Sequence, residues 1–444
     1  MSSDALQISN FHDSFHNRLS TRVLKDLKKT TSDTFKTAEV YYKERRSITS
    51  ESTTLDTEHL FSINNSYSMV SHFWLEITSD NSAAFDIGDW SAANCIKRIE
   101  IEIGSRKLCD YTGDDLVKIL WLTNRDTSVR EELYQLANGI TRPSGDPNAI
   151  PLLIPIIAPG SNCIYSLDAS DQRTPAFPIG ACNNPLVIRV TIQSGSYISK
   201  TNDFVMASLK LKFMSYAVKR DPIPNTRPSA VQGIYYTWNY VKPMSNTYTR
   251  TLSNATEDQF TIDNVITQGM LNMVIVDVLD RSTHVADKEY QWGQPIDELK
   301  LTVRGNSELY QHESQSEGRL LCLMDHKVPN KLRVRYNSGL STGAIDSGAH
   351  SNAHTHALST LDGYVQYQEQ FGFIYPMSLT GRPDLSWVDV GSQGLNLNLN
   401  KPTIYLTCTS LTNTASQHTV RVLAIYKGLW NVLNDKSARL EIHP

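Results

Sequence analysis

The chain has no large excess of charge, no long apolar run and no closely spaced cysteine pair, and each absence narrows what the molecule does. Lys and Arg number 42 against 46 Asp and Glu, for a net charge of −4. That balance excludes the strongly basic surface of a general nucleic-acid binder. No stretch nears the ~18–20 consecutive apolar residues that a helix needs to span a bilayer. The opening Met1-Ser-Ser-Asp-Ala-Leu-Gln-Ile lacks the charged-then-apolar layout of a secretory signal, so export by the standard route is not expected. The six cysteines are Cys95, Cys109, Cys163, Cys182, Cys322 and Cys408, and no two stand as C-x-x-C. A zinc ribbon or thioredoxin-like site is therefore unsupported, and scattered buried thiols in a reducing compartment are expected. Neither G-x-x-x-x-G-K-S/T nor G-x-G-x-x-G occurs, which removes the commonest phosphate cradles.

What is present is β texture, twice over. At 444 residues two domains are the natural expectation. Residues 1–54 form an N-terminal arm. Its first 50 residues hold nine Lys/Arg against six Asp/Glu, with Leu19, Val23 and Leu27 at helical spacing. A frayed terminus or one short helix is one reading. An arm that docks on a neighbouring subunit or contacts an acidic interior is the other. From residue 55 strands follow one another. His72–Thr78, Ile96–Ile103, Leu152–Ile157, Pro185–Ile192 and Leu209–Met214 all read as strands. In the second of these, Ile99, Ile101 and Ile103 alternate with Arg98, Glu100 and Glu102, the period of a sheet with one wet face. Gly104-Ser105 is its turn. Two helical pieces interrupt the pattern. One starts at Asp114-Asp115. The other carries a capping box at Ser128 and Glu131 and a stop at Gly139.

Residues 219–229, rich in Pro and charge, read as a linker. Strands then resume at Ile234–Tyr240, Gln259–Ile262, Asn272–Val278, Leu299–Arg304, Lys331–Tyr336, Gly363–Tyr367, Thr403–Cys408 and His418–Tyr426. Asn337 to Thr360 is an exposed Ser/Gly/Ala/His loop. The expected organisation is a first sandwich over 55–218, a second over 230–434 and a tail over 435–444. The fold class is all-β: two consecutive eight-stranded antiparallel sandwiches with a short helical insertion.

Three places resemble one family, the double jelly-roll major capsid proteins of eukaryotic double-stranded DNA viruses and virus-like elements. Ile99 to Tyr111, followed by Asp114 to Trp121, looks like the family's first-domain hairpin and its Trp-containing helix. Pro175 to Cys182 with Pro185 to Ile192 is similar to the family's apolar turn into the next strand. Phe373 to Thr380 and Val422 to Leu429 resemble its last strands. The matches span roughly residues 60 to 430. One departure is Arg382-Pro-Asp-Leu-Ser-Trp-Val-Asp, where the family often has Pro-Ser-Gly; it favours polinton-like viruses or virophages over large nucleocytoplasmic viruses. The resemblance implies a homotrimer whose six jelly rolls form a pseudo-hexagonal capsomer in an icosahedral virion shell, assembled inside the host cell. It implies neighbouring capsomers, minor capsid proteins and penton proteins as partners. It implies no enzymatic activity, cofactor, small-molecule substrate or sequence-specific nucleic acid.

Several residues suggest other chemistry. His350, His354 and His356, with Asp346 or Asp362, have metal-ligand character, although a Ser/Gly loop is not a preformed site and a solvated loop is the simpler reading. Glu100 and Glu102 share one side of a strand as glycosidase carboxylates do, or mark the wet face of a sheet. Asp114-Asp115 reads as helix-start electrostatics. Arg45-Arg46 is a weak basic patch, either a surface charge run or a contact for a genome or minor capsid protein. The alternative function is a glycan-binding or carbohydrate-active β-sandwich, with Trp238, Trp292 and Trp387 as its aromatic platform.

Overall fold

A computed structural model of the chain describes residues 40–67, 69–79, 90–104, 106–124, 126–138, 151–159, 177, 179–182, 184–195, 204–218, 234–251, 257–263, 270–280, 293, 295–303, 307–326, 328–337, 368–379, 395–396, 402–409, 417–433 and 438–441. The first half contains β1 (Val40–Thr49), β2 (Glu58–Ile63), β3 (Met69–Ser79), β4 (Ile96–Ile103), β5 (Arg106–Tyr111), β6 (Leu152–Pro155), β7 (Leu186–Ile192) and β8 (Met206–Val218). Its helices are α1 (Ser91–Asn94), α2 (Gly113–Thr123) and α3 (Thr127–Asn138). The second half contains β9 (Ile234–Thr251), β10 (Glu257–Asp263), β11 (Met270–Asp280), β12 (Glu298–Val303) and β13 (Ser307–His312). Then come α4 (Gln315–His326), β14 (Lys331–Asn337), β15 (Gln368–Phe373), β16 (Tyr375–Ser378), β17 (Leu395–Asn396), β18 (Pro402–Thr409), β19 (Gln417–Leu433) and β20 (Ala438–Glu441).

The pairing makes each half a jelly roll. In the first, the sheets run β1-β8-β3-β6 and β2-β7-β4-β5; in the second, β9-β19-β11-β16 and β10-β18-β12-β13. If the eight main strands of each half are counted one to eight, both halves read 1-8-3-6 and 2-7-4-5. The two jelly rolls thus share one topology, the closed double-sheet arrangement that hides most strand edges. They are also joined: β5 of the first meets β9 of the second at a parallel bridge, Asp110 to Met244, and two four-stranded sheets become one continuous sheet. β14 and β15 form a two-stranded sheet of their own, whose Phe373 packs into the core of the second jelly roll.

Sequence alternation explains the packing. Ile99, Ile101 and Ile103 are buried on one face of β4, as are Leu186, Ile188, Val190 and Ile192 on β7. Burying one such side chain is worth about 1.5–3 kcal/mol. Gly104, with φ of +61°, makes the β4–β5 turn where a side chain would be strained. Gly113 is required for another reason: a Cβ there would lie 2.0 Å from the Ala93 carbonyl oxygen, so only glycine lets α2 start against α1.

Three expectations change. A strand, Val40–Thr49, lies inside the segment expected to be an arm and pairs with β8 along its length. Residues 1–39 of the arm, with Leu19, Val23 and Leu27, lie outside the described residues, as does the linker 219–229. The cap of α3 is Asp126 rather than Ser128: its Oδ1 accepts from the Ser128 backbone N–H at 2.8 Å, and its carbonyl accepts from the Arg130 N–H at 3.1 Å. Ser128 is two residues past the cap, inside the helix, and so does not close its first turn. The second half also carries a helix, α4, which the strand-by-strand reading passed over. Ser314 caps it, accepting from the Glu317 N–H at 3.3 Å, a Ser-x-x-Glu signal that was available in the sequence.

Candidate functional site

Glu100 and Glu102 are committed to ion pairs on the outer face of the first jelly roll. Lys107 Nζ reaches Glu100 at 2.7 Å, and Arg189 reaches Glu102 and Glu58, each at 2.7 Å. Arg98 forks onto Asp110 with contacts of 2.6 and 2.7 Å. Burial alone would raise the Asp110 pKa, but the hydrogen bonds from Arg98 and Lys107 outweigh it and hold the carboxyl below its usual range. A carboxylate fixed in such a lattice is a poor proton shuttle. These residues therefore form the wet face of the sheet. Arg46 pairs with Glu44 and lies over the Tyr67 ring at 5.6 Å.

His350, His354, His356, Asp346 and Asp362 lie outside the described residues, as do Trp292 and Trp387. Trp238 falls in β9, opposite Trp430 of β19 in the backbone register. Among the described residues, no group of three or more His, Cys, Asp or Glu side chains is placed to hold a metal ion. No described helix is long and apolar enough to cross a membrane. Cys95, Cys109, Cys182 and Cys322 are buried thiols, and burial pushes Cys182 and Cys322 each up to about 12.

The most distinctive constellation lies between the two jelly rolls. Helix α2 begins with a reciprocal capping box. Thr112 Oγ1 accepts from the Asp115 N–H at 3.2 Å, and Asp115 Oδ2 accepts from the Thr112 N–H at 3.1 Å. One turn later Lys118 points into the second jelly roll. Its Nζ donates to Asp115 Oδ1 at 3.1 Å and to Asp277 Oδ1 of β11 at 2.7 Å. Asp277 is also gripped by Arg421 of β19, whose Nε lies 3.1 and 3.0 Å from its two oxygens. Arg421 reaches on to Asp114. Lys118 and Asp277 are each 0% exposed.

Three carboxylates thus face two cations in a dry joint. Burial tends to raise Asp115, but Lys118, Arg421, Ser245 and Thr112 outweigh it and its carboxyl is lowered. Burial dominates at Asp114, whose carboxyl is raised despite Arg421 and Lys118. Asp114 lies on the cluster's partly exposed rim. Removing one partner from such a cluster strands the others in low dielectric and costs about 3–5 kcal/mol.

Apolar packing runs through the same joint. Along β11, Met273 and Ile275 face the first jelly roll's core while Val274, Val276 and Val278 face the second's. On β19, Leu423 and Ile425 face the first, while Val420, Val422 and Ala424 face the second. These strands are covered on both sides, which is why Met273–Val276 and Val422–Ile425 are unbroken apolar runs. Asp277 and Arg421 are the charged exceptions on the face turned to α2, and they stand directly opposite each other in the ladder. Trp121 adds a further tie: its indole N–H donates to the Pro329 carbonyl at 3.1 Å, and Arg130 lies 4.6 Å from its ring. Reading Asp114-Asp115 as helix electrostatics alone missed this role. The available signal was a lone charge within each apolar run: Val-Asp-Val, Val-Arg-Val and Val-Lys-Ile.

No protein-family model matches the chain, and no curated protein matches it significantly. Solved structures do. PBCV-1 VP54, fitted into a reconstruction of the virophage Sputnik, overlaps 91% of this chain and 97% of its own, with TM-score 0.59 at 10% identity. The Faustovirus major capsid protein overlaps 96% of this chain and 98% of its own, with TM-score 0.52 at 9% identity. The fold is the double jelly roll. Mavirus major capsid protein overlaps 90% of each chain, with TM-score 0.50 at 11% identity. The preference for a polinton-like or virophage relative gains nothing from these figures, since PBCV-1 and Faustovirus proteins overlap the chain as well as the mavirus protein does.

Proposed function

We propose that this chain is the major capsid protein of a double-stranded DNA virus, a structural building block rather than an enzyme. Three copies form a pseudo-hexagonal capsomer, and capsomers tile an icosahedral shell with minor capsid and penton proteins at its joints. Assembly takes place inside the host cell. The observation that carries the reading is the overlap of at least nine-tenths of the chain with double jelly-roll capsid proteins. Physics supports it. A wall element has to be stiff over its full width, and here one sheet runs through both jelly rolls, the apolar core of the first extends onto β11 and β19 of the second, and a buried charge cluster pins them. We divide the chain accordingly into an arm over 1–39, a first jelly roll over 40–218 and a second over 234–433.

Light scattering of the purified chain, with electron microscopy of the same sample, tests the proposal. A mass near three times 49.9 kDa with pseudo-hexagonal particles is the expected result. A monodisperse monomer that never associates at high concentration rejects it, and glycan-array binding then becomes the discriminating measurement.

A further inference from the structure

The internal joint has a counterpart that the single chain leaves open. Each jelly roll places an acid on its third strand directly opposite a base on its eighth: Asp277 with Arg421 in the second, Glu76 with Lys210 in the first. The register continues in step, since Ile275 pairs with Leu423 and Trp74 pairs with Lys212. In the second jelly roll this face is sealed by α2. In the first, Trp74 is partly exposed, and the Lys210 and Lys212 side chains, both bonded to Glu76, are 34% and 17% exposed.

Each jelly roll also inserts a capped helix after its fifth strand. Counting from the caps, Thr112 and Ser314, Lys118 corresponds to Leu320, Trp121 to Leu323 and Leu122 to Met324. Lys118 and Trp121 are the residues that α2 sends into the second jelly roll. Their counterparts on α4 are bare: Leu320 is 56% exposed, Leu323 48% and Met324 65%. Leu309, on the adjoining β13, is exposed as well. These four make up half of the large apolar residues that stand exposed among the described residues. Finally, β5 and β9 are outer strands that meet each other, while their counterparts β13 and β1 are outer strands facing no strand among the described residues.

We propose that a second copy of this chain closes the open joint. The β13 edge and the apolar face of α4 (Leu309, Leu320, Leu323 and Met324) cover the β1 edge and the outer β3–β8 face of the next copy at Trp74, Glu76, Lys210 and Lys212. This rests on the self-assembly reading above and gives it an interface. The contact is heterologous, two different patches meeting head to tail, which is the geometry that generates closed rings. The chemical difference between the joints fits their histories. The internal one forms once, during folding, and tolerates buried charge. The external one forms from hydrated surfaces, where the apolar face of α4 gains from burial and Glu76, Lys210 and Lys212 enter the contact already paired with one another.

The test uses the full chain and light scattering. L320E/L323E is expected to be a folded monomer at concentrations where the unaltered chain is oligomeric, its dissociation concentration raised about 100-fold. Leu60→Glu, an equally exposed site on β2, is expected to leave the oligomer intact. Trp74→Arg blocks the opposite patch and is expected to be monomeric too. Because the contact is head to tail, mixing the L320E/L323E and Trp74→Arg chains restores one good interface and gives a dimer near twice 49.9 kDa. An oligomer that survives L320E/L323E overturns this interface and leaves the capsid reading standing. Folded variants whose mixture stays monomeric also overturn it. An unaltered chain that never associates overturns both.

Discussion

The outer faces of the two jelly rolls carry the same motif in two environments. Asp277 and Arg421 lie under α2, dry and enclosed. Glu76 occupies the matching ladder position and is itself largely buried, but its partners Lys210 and Lys212 are partly exposed. At Glu76, burial tends to raise the carboxyl, but hydrogen bonds from Lys212 and Lys210 outweigh it and the pKa is lowered. The lesson is that topology fixes where a cross-strand pair stands, while its covering decides what the pair is worth. A pair whose cations keep access to water contributes little, because they stay solvated without their acid. An enclosed one contributes little net gain but punishes the loss of either partner.

The largest predicted effect breaks this comparison at its buried end. Asp277→Ala leaves Lys118 and Arg421 facing each other without their shared carboxylate, and the expected loss is about 3–5 kcal/mol. Urea unfolding followed by tryptophan fluorescence measures it. A loss below about 1 kcal/mol would show that water reaches the joint and that the cluster does not clamp the halves.

Much of the fold was legible because it rests on local alternation. Ile99, Ile101 and Ile103 declare their sheet face in any context, and so does the run Leu186–Ile192. The first strand was missed because Val40–Thr49 carries Lys43, Arg45 and Arg46 at close intervals. It reads as a charged arm until β8 is seen beside it. The joint was harder still. Asp115, Lys118, Asp277 and Arg421 are separated by up to 306 positions in the chain, and only closure of both sandwiches brings them together. Helix α4 was passed over because three of its apolar residues point outward, which blurs the one-sided pattern that marks a packed helix.

A smaller effect concerns pH, and it asks whether the two halves respond as one. Each jelly roll buries a histidine, His59 on β2 and His312 on β13. Burial lowers both, outweighing the backbone carbonyls of Thr54 and Ile296 that favour the charged form. A base whose folded pKa lies below its ordinary 6.5 contributes stability that is complete above that value. The contribution is lost as pH falls from there, because the unfolded chain takes up the proton first. Acidification from about pH 7.5 to about pH 5.5 should therefore lower the urea midpoint. Since one sheet and the buried charge cluster tie the two jelly rolls together, a single transition should move. Two transitions separating on acidification would mean that the joint does not couple the halves.

The smallest effect lies at the open end. Glu76→Ala removes the carboxylate between Lys210 and Lys212, yet both ammonium groups retain access to water. The isolated chain should lose less than about 1 kcal/mol, well under the loss expected for Asp277→Ala. The same substitution made in the oligomer sharpens the comparison, because there the face is covered by α4 of the next copy. Two lysines left without their acid under an apolar cover repeat the predicament of Lys118 and Arg421 in Asp277→Ala. Glu76→Ala should therefore weaken association far more than it weakens folding, measured as oligomer mass against concentration beside the urea midpoint of the monomeric L320E/L323E background. Equal small effects on both readouts would place Glu76 at a surface that stays wet after assembly, and the matching of the two faces would then be a relic of shared topology alone.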